Sequence, residues 1–261
     1  MKRRIMLTIA YDGTDYNGWQ IQPDAPTIEG VLNSELSRLL GENIKVIGAS
    51  RTDAGVHAEG AVAVFDTESR IAGEKFSYAL NQSLPDDIVI RRSEEVASDF
   101  HPRKTDCMKT YRYSIWHDIF PMPTNRRYTH WIHYPLDADA MEDATAFFTG
   151  EHDFAGFCSA AADVESTVRR IYEMRITRER KVPQKEPDGR EYFGQIDIYV
   201  TGNGFLYNMV RIIAGTLIDV GTGKIASSDI PGIIESCDRS RAGNTAPAKG
   251  LTLMGYKWTK T

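Results

Sequence analysis

The chain has 261 residues, with 31 Lys+Arg against 36 Asp+Glu and a formal net charge of −5, a length that fits one large domain or two small ones. Its 41% hydrophobic residues can bury a core, which excludes the composition of a disordered chain. The negative balance argues against a protein that grips nucleic acid over its whole surface but allows a local basic face, and no run approaches the ~18 apolar residues of a membrane span.

The opening MKRRIMLTIAYDG alternates Ile5, Leu7 and Ile9 with polar or small neighbours, which predicts a half-buried strand and not a signal peptide. A Gly/Asp/Asn-rich loop follows over 11–26. Thr27 is then a suitable cap for a helix in which Ile28, Val31, Leu32, Leu36, Leu39 and Leu40 recur at helical spacing and Gly41 is the stop. Short strands are expected at Ile44–Gly48 and Ala61–Phe65, a helix around Glu74–Leu84 and a strand around Ile88–Arg92.

In the second half, Lys109–Trp116 reads as a strand, and Asp137 caps a helix carrying Met141, Ala144 and Phe148 that closes at Gly150. Strands at Val168–Arg178 and Tyr192–Val200 flank the charged stretch RERKVPQKEPDGR, read as a solvated hairpin tip. A further helix is expected from about Phe205 to Val220, and a last strand over Leu251–Trp258. Strands adjoin strands as often as helices, so the expected class is α+β and not a doubly wound parallel sheet. The natural division falls after residue 104, giving domains 1–104 and 105–261.

The segment ASRTDAGVHAEG (49–60) gathers Arg51, Asp53 and His57 among small residues that let backbone approach a ligand. An arginine two positions from a carboxylate favours its ionised form, which suits a nucleophile or electrostatic stabiliser better than a general acid. An ion pair bracing an exposed loop is the competing reading. Metal binding finds no support: the six histidines are scattered without HExxH or Cys/His spacing. Cys107, Cys158 and Cys237 form no CxxC pair, which argues against a disulfide framework and fits a reducing cytoplasm. No G-x-S-x-G is present. Gly202-Asn203-Gly204 serves either as an anion nest or as a tight strand-to-helix turn.

In KTYRYSIW, Tyr111 and Tyr113 share one strand face, either as stacking platforms for bases or as core. Arg211 interrupts an otherwise apolar helix stretch, so it either snorkels to solvent or sits in a pocket. The doublets Arg103-Lys104, Arg126-Arg127 and Arg169-Arg170 suit phosphates or a plain solvated surface.

Taken in order, YDGTDYNGWQ (11–20), TIEGVLNSEL (27–36), SRTDAGVHAEGAVAVF (50–65), LNQSLPDDI (80–88), DFHPRK with KTYRYSI (99–115), GEHDFAGFCSA (150–160), NGFLYNMVRIIAGTLIDVGTGK (203–224) and APAKGLTLMGY (246–256) resemble the tRNA pseudouridine synthase A family along nearly the whole chain. The resemblance implies two related α+β domains whose sheets join into one extended, largely antiparallel sheet flanked by helices, with the active-site cleft between the domains. It implies a cytoplasmic homodimer that binds tRNA and converts uridine to pseudouridine at positions 38, 39 and 40 of the anticodon stem-loop, without cofactor, metal or membrane.

Carried over position by position, Asp53 matches the family's catalytic aspartate and Arg51 the arginine before it. Tyr111 matches the active-site tyrosine that stacks on the target base, Arg211 the arginine that pairs with the aspartate, and Leu251 the apolar residue lining the uracil pocket. His57 falls within the same signature and is read as bracing the loop. Ser50, Ala61, Pro102 and Lys104 depart from the family's usual pattern, at positions other than Asp53 and Tyr111. Two other functions are kept as alternatives: a non-catalytic RNA-binding protein of the same fold, and a nucleoside glycosidase using Asp53 with a second carboxylate, which would release free uracil.

Overall fold

The structure, a computed structural model, describes residues 2–159, 164–180, 184–187 and 189–259. The chain is α+β and divides into two compact units, Met1–Cys107 with Thr252–Thr261, and Met108–Leu251.

In the first unit, β1 (Arg3–Tyr11) buries alternate residues and runs antiparallel to both β3 (His57–Thr67) and β4 (Ile88–Val96). Ile5, Leu7 and Ile9 lie fully buried, and Phe65, opposite Ile5, meets Phe76 edge-on at 5.3 Å. The helix α1 (Ile28–Leu40) starts where its cap predicts: Thr27 accepts a hydrogen bond from the Gly30 N–H, and Gly41 closes the helix in the left-handed region. The strand expected over Ile44–Gly48 shrinks to β2 (Ile47–Gly48). The N–H groups of Ile44 and Val46 are already taken by Ser37 Oγ and Asn33 Oδ1 of α1, so they are not available to a ladder.

The helix expected over Glu74–Leu84 is a 3₁₀ turn followed by the short α2 (Phe76–Leu80). It stops because Asn81 exchanges two side-chain hydrogen bonds with the Ile90 backbone, and because Pro85 disfavours helix at the residue before it. The last strand, β12 (Leu251–Trp258), which a division after residue 104 assigns to the second half, pairs in parallel with β3 through Thr252 and Leu253.

In the second unit, β5 (Cys107–His117) pairs antiparallel with β11 (Gly194–Gly202), and β11 with β8 (Val168–Arg178). Strand β7 (Gly150–Asp153) adds to β8, and β6 (His130–Ile132) runs parallel to β5. A small hairpin, β9 (Gln184–Lys185) with β10 (Glu191–Tyr192), occupies the charged stretch, of which residues 181–183 and 188 lie outside the described residues.

Asp137 caps α3 (Ala138–Thr145) with two side-chain hydrogen bonds. The unit's core surrounds α4 (Met209–Gly221), in which 11 of 13 residues are buried. This helix begins four residues later than expected, because Asn208 takes the left-handed conformation in a turn that the Met209 N–H closes on the Leu206 carbonyl. A short helix, α5 (Ile230–Ser236), has no counterpart in the sequence reading. Among the described residues no helix is long and apolar enough to cross a membrane.

Candidate active site

Asp53 occupies a turn at the entrance to β3. The Val56 N–H donates to the Asp53 carbonyl at 3.2 Å, and Gly55 supplies the required positive φ of 76°. Asp53 is half-buried, Arg51 is exposed, and Thr52 between them is buried.

The turn is held by the Gly/Asp-rich loop that follows β1. The Trp19 N–H donates to the Thr52 carbonyl at 3.0 Å, and the Gly55 N–H to the Tyr16 carbonyl at 3.3 Å. Tyr11 Oη and Thr52 Oγ1, both buried, lie 2.8 Å apart. The Gly13 N–H donates to His57 Nδ1 at 3.0 Å, and Arg51 Nη1 donates to Gln20 Oε1 at 3.1 Å. The two segments approach backbone to backbone: a Cβ on Gly13 would overlap the Val56 carbonyl, and one on Gly18 would lie 2.5 Å from the Thr52 oxygen.

The loop itself is anchored on both sides. The first N–H groups of α1, at Ile28 and Glu29, donate to the Gly18 and Trp19 carbonyls, which satisfies donors that a helix start leaves open. Tyr16 Oη donates to Asp87 Oδ1 at 2.7 Å; burial first, and this bond second, raise the phenol's pKa above its usual value.

In the second unit, Tyr111 and Tyr113 of β5 share one face, and both are buried. Tyr111 meets Phe205 edge-on at 5.3 Å, and Tyr113 Oη donates to the Pro247 carbonyl at 3.1 Å. Burial pushes the Tyr113 phenol up, while the neighbouring Arg211 cation opposes that shift.

Arg211, in the first turn of α4, donates through Nε to the Ala246 carbonyl and through Nη1 to Asn208 Oδ1, both at 2.7 Å. Leu251 is buried and follows Gly250, where a Cβ would lie 2.7 Å from Tyr113 Cζ. Arg211, the 246–251 segment and the tyrosine strand are therefore brought together within this unit. Arg51 and Asp53 are brought together within the other.

A family model described as tRNA pseudouridine synthase matches residues 7–103 and 144–258. The chain belongs to the tRNA pseudouridine synthase family. It is 52% identical over 252 residues to tRNA pseudouridine synthase A of Ruminiclostridium cellulolyticum, covering 97% of this chain and 98% of that one. To the proteins of the same name from Acetivibrio thermocellus and Brevibacillus brevis it is 47% and 46% identical, over 97% and 96% of this chain and 98% of each relative. This pseudouridine synthase is accordingly an isomerase acting on tRNA.

The basic doublets of this synthase carry local ties. Arg103 Nε donates to the Gly48 carbonyl, Arg126 to the Pro123 carbonyl, and Arg170 pairs with Glu151 on the surface. Gly202-Asn203-Gly204 closes a strand end, with Asn203 exchanging hydrogen bonds with the Arg170 backbone, and α4 starts only five residues after Gly204. Among the described residues no cluster of three or more His, Cys, Asp or Glu side chains is arranged to hold a metal ion.

Tyr11, Gln20 and Thr52 carry no role that the sequence predicts, although each contacts the Asp53 turn or its arginine. The signal available was the segment YDGTDYNGWQ, whose density of Gly, Asp and Asn marks a loop but not its partner.

Proposed function

We propose that this enzyme converts consecutive uridines of the tRNA anticodon stem-loop to pseudouridine, with Asp53 as its catalytic residue. It acts in the cytoplasm as a homodimer and needs neither cofactor nor metal. The reaction breaks the N1–C1′ glycosidic bond, turns the uracil and rejoins it through a C5–C1′ bond. The C5 hydrogen leaves as a proton and N1 gains one, so atoms and electrons balance without a co-reactant.

The observation that carries the reading is the Asp53 turn. Its carboxylate lies on backbone pinned by hydrogen bonds before and after it, half-buried and two residues from the exposed cation Arg51. A carboxylate in that setting can attack the sugar, take a proton from it, or add to the pyrimidine ring.

Extruding the target base costs a few kcal/mol. Stacking on the ring of Tyr111 returns about 1–3 kcal/mol of it. Arg51 fills the space that the base leaves, Arg211 supplies positive charge toward the carboxylate, and Leu251 gives the uracil an apolar wall.

The test is tritium release from tRNA labelled at uridine C5, comparing wild type with Asp53→Asn. Release by wild type and none by the variant, with tRNA still bound, is expected. Release by both would move the catalytic role to another residue. Free uracil as product would favour the glycosidase, and binding without release by either protein would favour a non-catalytic RNA binder. Mapping the modified uridines to a site outside the anticodon stem-loop would overturn the substrate position.

A further inference from the structure

The segment Tyr11–Gln20 supplies none of the substrate-facing groups named above, yet its backbone and side chains contact residues 51, 52, 55 and 57 in turn. The consequence is clearest at the two peptide planes flanking Asp53. The Thr52 carbonyl belongs to the plane that leads into Asp53, and the Trp19 N–H holds it at 3.0 Å. The Asp53 carbonyl belongs to the plane that leads out, and the Val56 N–H holds it at 3.2 Å. With both planes fixed, the direction of the Asp53 Cα–Cβ bond is set before any substrate arrives.

The side chain of Thr52 is pinned as well. Its hydroxyl lies 2.8 Å from Tyr11 Oη, in a place where Tyr11 is 5% and Thr52 7% exposed. Breaking a hydrogen bond between two buried hydroxyls costs their desolvation, so the pair resists rotation of Thr52. Tyr11 is the last residue of β1, and β1 is paired on both edges, so the hydroxyl is presented from a rigid support.

We propose that Tyr11 and Thr52 are positioning residues for the isomerisation, their hydroxyl pair holding the peptide before Asp53 so that the carboxylate meets the uridine at a fixed distance. The inference rests on the assignment of Asp53 as catalytic residue. Displacing a catalytic group by about 1 Å can cost on the order of a hundredfold in rate, so loss of the pair is visible in turnover while tRNA contacts elsewhere remain.

The test compares Tyr11→Phe, Thr52→Val, the double variant and Thr52→Ser by steady-state tritium release, with thermal melting of each protein and tRNA binding measured in the Asp53→Asn background. Each single variant is expected to lower kcat by on the order of ten- to a hundredfold with KM unchanged. The double variant is no worse than either single, since both remove one interaction. Thr52→Ser, which keeps a hydroxyl, restores most of the rate.

Wild-type kcat in Tyr11→Phe overturns the proposal, as do losses that lie only in KM, losses that multiply in the double variant, or a Thr52→Ser enzyme as slow as Thr52→Val. Assays are run below the lowest melting midpoint. Should Tyr11→Phe fail to fold, the contrast between serine and valine at position 52 still decides. Activity in Asp53→Asn would overturn the parent reading, whereas an inactive Asp53→Asn beside a fully active Tyr11→Phe would overturn this one alone.

Discussion

Asp53 lies on irregular backbone whose polar groups are matched to another irregular segment, 12–20, whereas Arg211 lies on a regular helix most of whose residues are buried. The first is fixed by a handful of directional hydrogen bonds and by two glycines that permit backbone contact. The second is fixed chiefly by apolar packing around α4, to which Arg211 adds polar bonds to Ala246 and Asn208, and Thr216 one from the Gly243 N–H. A loop held in the first way can lose precision while the protein stays folded. A helix held in the second way fails through loss of stability.

The contrast breaks most visibly at Gly215 in α4, where a Cβ would fall on the Asn244 carbonyl oxygen. Gly215→Ala is expected to cost about 3 kcal/mol by overpacking, read as a lower midpoint in denaturant or thermal unfolding. A wild-type midpoint would show that the 243–245 segment yields easily.

Gly13→Ala sharpens the other side. The added methyl meets the Val56 carbonyl, so tritium release is expected to fall by on the order of a hundredfold, with a stability loss of about 1–2 kcal/mol. A variant that unfolds before it slows would place the loop in the same class as the helix.

The smallest effect is expected outside both regions. Arg4, hydrogen-bonded to Asp66 at 2.7 Å on the first unit's sheet, holds that carboxyl below the usual carboxylate range. Because the folded value is the lower one, the stabilisation is complete above the unfolded value and is lost as pH falls through the folded value. Asp66 is 39% exposed, and screening there limits the gain to less than about 1 kcal/mol. Asp66→Asn should therefore melt slightly earlier at neutral pH, and the gap should close on acidification below pH about 4. A gap that widens in acid would mean that the pair is not the cause.

Much of the fold is legible in the sequence. Thr27 and Gly41 bound α1, Asp137 starts α3, and β8 and β12 run over the expected residues, because caps and alternation are local signals. Where the elements depart from these local signals, distant partners decide. β2 is short because α1 side chains take its N–H groups, α2 is short because Asn81 bonds to β4, and α4 starts late because Asn208 turns the chain first. Helix α5 is too short, at seven residues, for its isoleucines to show a period.

The residues of the candidate site were legible as a list. Arg51 and Asp53 are two apart in one motif, and the family resemblance marked Tyr111, Arg211 and Leu251. Residue order by itself determined the α+β class, the principal helix caps, the family and the chemical types at the site, since each is written in local spacing or in the series of motifs. Only the tertiary structure decided that 11–20 is the support of the Asp53 turn and that β12 pairs in parallel with β3. It also decided that Arg211 is tied to a carbonyl 35 residues away in sequence. Hydrogen bonds between backbone groups leave no trace in side-chain identity, apart from the glycines that make room for them.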